Sequence, residues 1–208
     1  MRRVLPVRAP PDGGLVKDAI AKKVRESHDV GARFFAENAD RLEACTRALA
    51  ERFRAGGRLF VMGNGGSACD AAHVAVEFVH PIVEKRRALP AVALTSDMAS
   101  ITAIGNDGDF ATVFERQLEV LARPEDAALG ISTSGASANV LRALKTARRS
   151  GLLTVGFAGR DGGRMPDVCD HVFVVKTWSI HRVQETHTLL LHLLWDLVHV
   201  ALGEDDVL

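Results

Sequence analysis

The chain has 208 residues, 47% hydrophobic and 25% charged, and its 26 basic and 26 acidic side chains cancel. That is enough chain for one domain with a substantial core, and the composition is ordinary for a globular protein. Zero net charge gives no field that favours nucleic acid or an anionic membrane, no stretch approaches the ~20 apolar residues of a membrane span, and three widely spaced cysteines without a CxxC pair argue against a disulfide framework or a thiolate zinc site.

The opening MRRVLPVRAPPDGG is basic but lacks the apolar run of a signal peptide, so residues 1–14 read as an extended lead-in to a single domain at 15–208. A reducing, cytoplasmic location follows as the expectation, and the apolar, uncharged balance predicts an oligomer. From Leu15 to Arg54 apolar residues recur at threes and fours (Ala32, Phe35, Ala36, Ala39, Leu42, Cys45, Leu49, Phe53) without a proline. This predicts two helices, broken near His28 to Gly31.

Strands and helices then alternate. Leu59 to Met62 is a short apolar run suited to a buried parallel strand. Gly63-Asn64-Gly65-Gly66-Ser67 breaks it, with Ser67 as the expected cap of a helix from Ala68 to Phe78. Pro90 to Leu94 reads as a second strand. Asp97 to Ile104 and Phe110 to Leu121 read as helices on either side of a Gly105–Asp109 loop. Asp126 to Ser132 is a third strand, Ala138 to Ser150 an amphipathic helix, Leu152 to Phe157 a fourth strand and His171 to Val175 a fifth. A last helix runs from about His181 to Leu202. The rhythm predicts an α/β three-layer sandwich, a five-stranded, mostly parallel sheet between helices, with ligands beyond the carboxyl ends of its strands.

Two loops at that edge carry chemistry. A strand, a glycine-rich turn and a helix start place free N–H groups and the helix dipole at one point, which suits an anion. Ser132-Thr133-Ser134-Gly135-Ala136-Ser137 adds four hydroxyls at a second helix start. A capped turn needs only one hydroxyl, so a phosphate cradle is the favoured reading. Neither loop is a nucleotide motif: the GxxxxGK[ST] lysine is missing, and Ala68 stands where GxGxxG needs its third glycine.

His73 and Glu77 stand at i and i+4 on one helix face, within reach of a common atom. On the last helix Gln184 and His192 are polar positions among leucines, and His192 taken alone reads as a core histidine. Eight residues along a helix are ~12 Å, so those two share a site only if Gln184 leans forward or two subunits contribute. Turn chemistry accounts for Asn106-Asp107 between its glycines, with a contact to substrate hydroxyls as the functional alternative.

Together, GNGGS, CDAAH-x-x-x-E, AIGND, GISTSG-x-S, GRDGG and RVQE-x-H with His192 beyond resemble the phosphoheptose isomerases, which carry a sugar isomerase (SIS) domain and interconvert sedoheptulose 7-phosphate and D-glycero-D-manno-heptose 7-phosphate. The likeness spans roughly Leu42 to Gly203. It implies a flavodoxin-like fold, a homotetramer with sites between subunits, and a phosphate held by Ser132, Thr133, Ser134 and Ser137. Asn64, Gly65, Gly66, Asn106 and Asp107 would line the sugar. In zinc-bearing members the ligands match His73, Glu77, Gln184 and His192. Glu77 is the candidate base at carbon and also contacts substrate, and His192 is the acid/base at oxygen. Lys176 to His181 and Val79 to Arg87 depart from the family pattern and bear on which sugar is taken. The alternatives are an isomerase of another phosphosugar, such as arabinose 5-phosphate, and a non-catalytic SIS module that binds a phosphosugar or a replication initiator. The latter relatives lack the full His/Glu/Gln/His set.

Overall fold

In the computed structural model, residues 13–82 and 86–206 are described. Most of the expected lead-in and part of the divergent 79–87 segment lie outside them. The order is α1 (Gly13–Arg54), β1 (Leu59–Gly63), α2 (Gly66–Val79), β2 (Ala91–Ala93), α3 (Met98–Asp107), α4 (Val113–Leu121, entered through a single 3-10 turn), β3 (Ala127–Ser132), α5 (Ala138–Arg149), β4 (Leu153–Gly159), β5 (His171–Val175) and α6 (Ile180–Ala201).

All five strands pair in parallel, in the order β2-β1-β3-β4-β5. The sheet is therefore wholly parallel, with its order reversing between β1 and β3. β1, β3 and β4 are buried along their whole length, as strands covered on both faces must be. One apolar core lies between the sheet and α1, α2 and α6, around Val61, Leu129, Phe157, Val183 and Leu194. The other lies between the sheet and α3, α4 and α5, around Phe60, Met62, Phe114, Val140 and Leu144. Asp126 fastens the amino edge of β1 and β3. Its buried carboxylate accepts from the Arg58 and Arg123 amides (2.7 and 2.8 Å) and from the Arg58 guanidinium (3.0 Å). Burial works against that carboxylate, and these donors overcome it and hold its pKa below the ordinary range.

Three local expectations are corrected. The N-terminal stretch is one helix of 42 residues, already helical at Gly13, with no break at His28–Gly31. A glycine inside a helix costs about 1 kcal/mol, and burial of Val30 and Phe34 beside Gly31 favours continuing the helix. Ser67 does not cap α2: Gly65, at φ +56°, is the cap residue, and Ser67 is buried in the first turn. Asn106 and Asp107 form the last turn of α3 rather than a loop: the helix passes through Gly105 and ends at Gly108.

Candidate active site

α2 and α6 lie side by side and run in the same direction. Gln184 near the start of α6 meets Gly66 at the start of α2, and eight residues further on His192 meets His73. The stripe of α2 that faces α6 carries Gly66, Asp70, His73 and Glu77 at helical spacing. Its far end is a trio. His73 Nε2 is 3.2 Å from Glu77 Oε1 and 3.2 Å from His192 Nε2, and the two imidazoles meet edge to face with centroids 4.8 Å apart. All three ligand atoms lie within 4.8 Å of one another. Two imidazole nitrogens at this distance need a proton or a cation between them. Ligand atoms about 2.0–2.1 Å from a tetrahedral zinc stand about 3.3 Å apart, a spacing that the two pairs through His73 match.

Gln184 is placed differently. A Cβ on Gly66 would overlap its amide nitrogen, so the side chain rests on the glycine. Gly66 and His73 are seven residues apart, about 10 Å along the helix. The trio therefore closes without Gln184, whose amide sits at the carboxyl edge of the sheet.

The hydroxyl loop lies one strand away, after β3. Ser132 is buried, and its Oγ is 2.9 Å from Ser137 Oγ and 3.4 Å from Ser134 Oγ. Ser137 is the cap residue of α5, yet its side chain makes no capping bond. Thr133 and Ser134 are half-buried. Gly135 (φ +62°) is packed so tightly that a Cβ would overlap the Gly162 carbonyl, and the Arg164 amide donates to the Gly135 carbonyl. The GRDGG segment thus props the loop from behind. Across the β1/β3 switch, Asn64 and Asn139 exchange two amide hydrogen bonds of 2.8 Å, which joins the two glycine-containing turns. Switch points of this kind are where open parallel sheets take ligands.

The candidates are not all gathered in one chain. Ser132, Thr133, Ser134, Ser137, Asn64, Gly65, Gly66 and Gln184 surround the switch point, while His73, Glu77 and His192 lie further along α2 and α6. Asn106 and Asp107 are exposed at the end of α3, whose apolar side packs on the opposite face of the sheet, and the Asn106 amide donates to Asp107 at 2.8 Å. Two residues of this region are absent from the candidates drawn from sequence. Asn139 has no motif signal, since its partner is 75 positions away. Asp70 was legible, because 70, 73 and 77 repeat at helical spacing. Its Oδ2 is buried without a partner, and burial pushes its pKa up against the pull of His73.

A doubly wound parallel sheet with a hydroxyl-rich turn at its switch point is the architecture of SIS domains, and the SIS domain profile matches residues 24–159. A phosphoheptose isomerase of Solidesulfovibrio magneticus is 46% identical over 185 residues, 89% of this chain and 90% of its own length. One from Aquifex aeolicus is 42% identical over 187 residues, 90% of this chain and 98% of its own. The solved phosphoheptose isomerase of Neisseria gonorrhoeae superposes with a TM-score of 0.82 at 34% identity, over 88% of this chain and 98% of that one. The chain belongs to the phosphoheptose isomerase family of SIS-domain proteins. Among the described residues no helix is long and apolar enough to cross a membrane.

Proposed function

We propose that this chain, a single SIS domain from residue 15 to its end, is an aldose–ketose isomerase that converts D-sedoheptulose 7-phosphate to D-glycero-D-manno-heptose 7-phosphate. The observation that carries the reading is the His73–Glu77–His192 trio on the helix that leaves the phosphate-type switch point. An open seven-carbon chain with bonds of about 1.5 Å and a terminal phosphate reaches roughly 10 Å. That is the spacing between Gly66 and His73 along α2, so one substrate can span both ends.

The reaction moves a proton between C1 and C2 through an enediol, and needs a base at carbon and an acid/base at oxygen. Glu77 has one carboxylate oxygen beside His73, which leaves the other to take the proton from carbon. His192, exposed at the edge of the trio, moves the proton at the substrate oxygen. The Ser132–Ser137 hydroxyls and the start of α5 hold the phosphate and fix the distance to the reacting carbons. Zinc held by His73, Glu77 and His192 would polarise the carbonyl and offset enediolate charge, and His192 would then serve as a ligand in place of its proton transfer. Gln184 would join it as a fourth ligand only by leaving Gly66.

Self-association belongs to the same reading. His192 is open to solvent, and exposed Val76, Val79 and Leu189 flank the trio, so a homotetramer with sites between subunits covers this face. The test is turnover of sedoheptulose 7-phosphate by the parent and by Glu77→Gln and His192→Ala, with and without chelator. Each variant is expected to lose at least a hundredfold, the lower end of what a positioned acid or base contributes. Turnover that survives both substitutions rejects the assigned roles, and a parent that binds but does not convert the sugar rejects the reaction.

A further inference from the structure

The carboxyl edge of the sheet carries a second polar site outside the switch point. A pocket of about 410 Å³ opens beyond the ends of β4 and β5, with α1 as its other wall and Val174 as its apolar part. That size lies within the range of about 300–1,000 Å³ usual for small-molecule sites. Three cations line it: Arg41 from α1, Arg160 one residue past β4 and Lys176 one residue past β5. Two carboxylates stand with them, and both are engaged. Glu37 pairs with Lys176 at 2.8 Å, on side chains 43% and 72% exposed, and Asp161 accepts from the Gly163 amide at 3.1 Å. One turn earlier on α1, Arg33 acts on Glu37 and adds a fourth positive charge. Arg41 and Arg160 make no ion pair among the described residues.

Arg160 is the unusual residue of the pocket. Its φ of +60° lies in the left-handed region, and among the described residues it is the one non-glycine there. The turn that follows enters the same region with Gly162 and Gly163, and a glycine at 160 would do so without strain. Strain of this kind is kept where a side chain is in use. The Arg160 Nε is buried without a partner among the described residues, and the guanidinium carbon lies 5.2 Å from the centroid of the Trp178 ring. Trp178 is 73% exposed, so the cation braces the indole and leaves most of it open. Lys176 and Trp178 both fall in the segment that departs from the phosphoheptose isomerase pattern.

We propose that this pocket binds a nucleoside diphosphate, with its phosphates on Arg41, Arg160 and Lys176 and its base on the open indole of Trp178. Two guanidinium forks and an ammonium, with no free carboxylate between them, suit a polyanion. An exposed aromatic ring beside them suits a planar base. The diphosphate replaces Glu37 as the partner of Lys176, an exchange that an exposed ion pair readily makes. A simple phosphate would leave Trp178 unused. The pocket is separate from the serine cradle, which follows β3 and offers hydroxyls rather than cations. Between them Gly159 packs so closely on the Thr133 carbonyl that a Cβ would overlap it. The inference does not depend on the reaction assigned to the trio.

The test titrates adenosine diphosphate, and separately inorganic pyrophosphate, into the full-length chain by calorimetry and tryptophan fluorescence. The chain has two tryptophans and Trp195 is buried, so quenching of the exposed one reports stacking on Trp178. The expected result is saturable binding of adenosine diphosphate with quenching, weakened by high salt. Arg160→Gly suits the backbone, so it should keep the parent's stability in denaturant while weakening the nucleotide about tenfold or more. Trp178→Ala should weaken adenosine diphosphate about tenfold and leave pyrophosphate unmoved. Ser134→Ala, in the cradle, should leave nucleotide binding as it is. A parent that shows neither heat nor quenching overturns the proposal. Binding that survives Arg160→Gly, or that Ser134→Ala removes, overturns it as well, because the nucleotide then lies in the cradle or elsewhere. Pyrophosphate bound as tightly as adenosine diphosphate overturns the role of the base.

Discussion

His187 ties stability to pH in a way that isolates one residue. It lies on the sheet side of α6, fully buried, with Nε2 3.1 Å from the Ala158 carbonyl and its ring 5.6 Å from that of Phe157. Nδ1 has no partner. The ring is therefore neutral with its proton on Nε2, and burial pushes its pKa from 6.5 down to about 4, opposed by the Ala158 bond. In the unfolded chain the imidazole protonates at its ordinary pKa. Between about pH 6.5 and pH 4 the unfolded state thus binds the extra proton and stability falls as pH falls. Above the unfolded pKa the effect vanishes. A gap from 6.5 to about 4, at 1.36 kcal/mol per pKa unit, amounts to about 3 kcal/mol lost by pH 4. The assay is urea unfolding of the parent and of His187→Gln at half-unit steps from pH 7.5 to 4. His171 and His199, also lowered by burial, contribute in both proteins, so the difference between the two curves reports His187. The variant is less stable at pH 7, and the gap narrows by about 3 kcal/mol towards pH 4. Parallel curves would refute the reasoning, as would a His187 resonance that titrates near pH 6.5 in the folded protein.

Other outcomes follow from single contacts. Asp126→Ala strips the Arg58 and Arg123 amides of their acceptor at once, and should cost about 2–4 kcal/mol in denaturant unfolding. Gly135→Ala forces a left-handed backbone on a residue with a Cβ and drives it into the Gly162 carbonyl. It should lower stability by about 1–2 kcal/mol or more, and weaken binding of inorganic phosphate in calorimetry. Gly66→Ala displaces only the flexible end of Gln184, so the fold should persist while KM for the sugar phosphate rises. Zinc at a hundred times its Kd should stabilise the parent by about 2.7 kcal/mol and leave His73→Ala unmoved, as read by thermal unfolding. An unmoved parent would count against a metal in the trio.

The strands and their order of appearance are written locally, as apolar runs closed by glycine, and the structure follows them within a residue or two at β1, β3 and β5. The continuity of α1 depends on distant partners. The helix break at His28–Gly31 is what local composition suggests. Yet Ser27 donates to Glu185 on α6 and Arg182 reaches back to the Lys23 carbonyl, so α6 braces this part of α1 in helical form. Neither contact leaves a trace in the residues between 15 and 54.

The site divides along the same line. His73 and Glu77 are legible because a helix places i and i+4 together, and the serine loop because its hydroxyls are consecutive. Gln184 and His192 depend on how α6 lies against α2. A parallel arrangement keeps their ~12 Å separation and spends Gln184 on Gly66, which has no side chain to exclude it. Local sequence therefore specifies each half of the chemistry, while the pairing of the halves is a property of helix packing. The same reasoning makes Gly66 the informative position. With alanine there, Gln184 has to move. A Gly66→Ala protein that binds zinc more tightly would mean the displaced amide has joined the trio. Unchanged zinc affinity with a raised KM would mean that Gln184 serves the sugar from where it now stands.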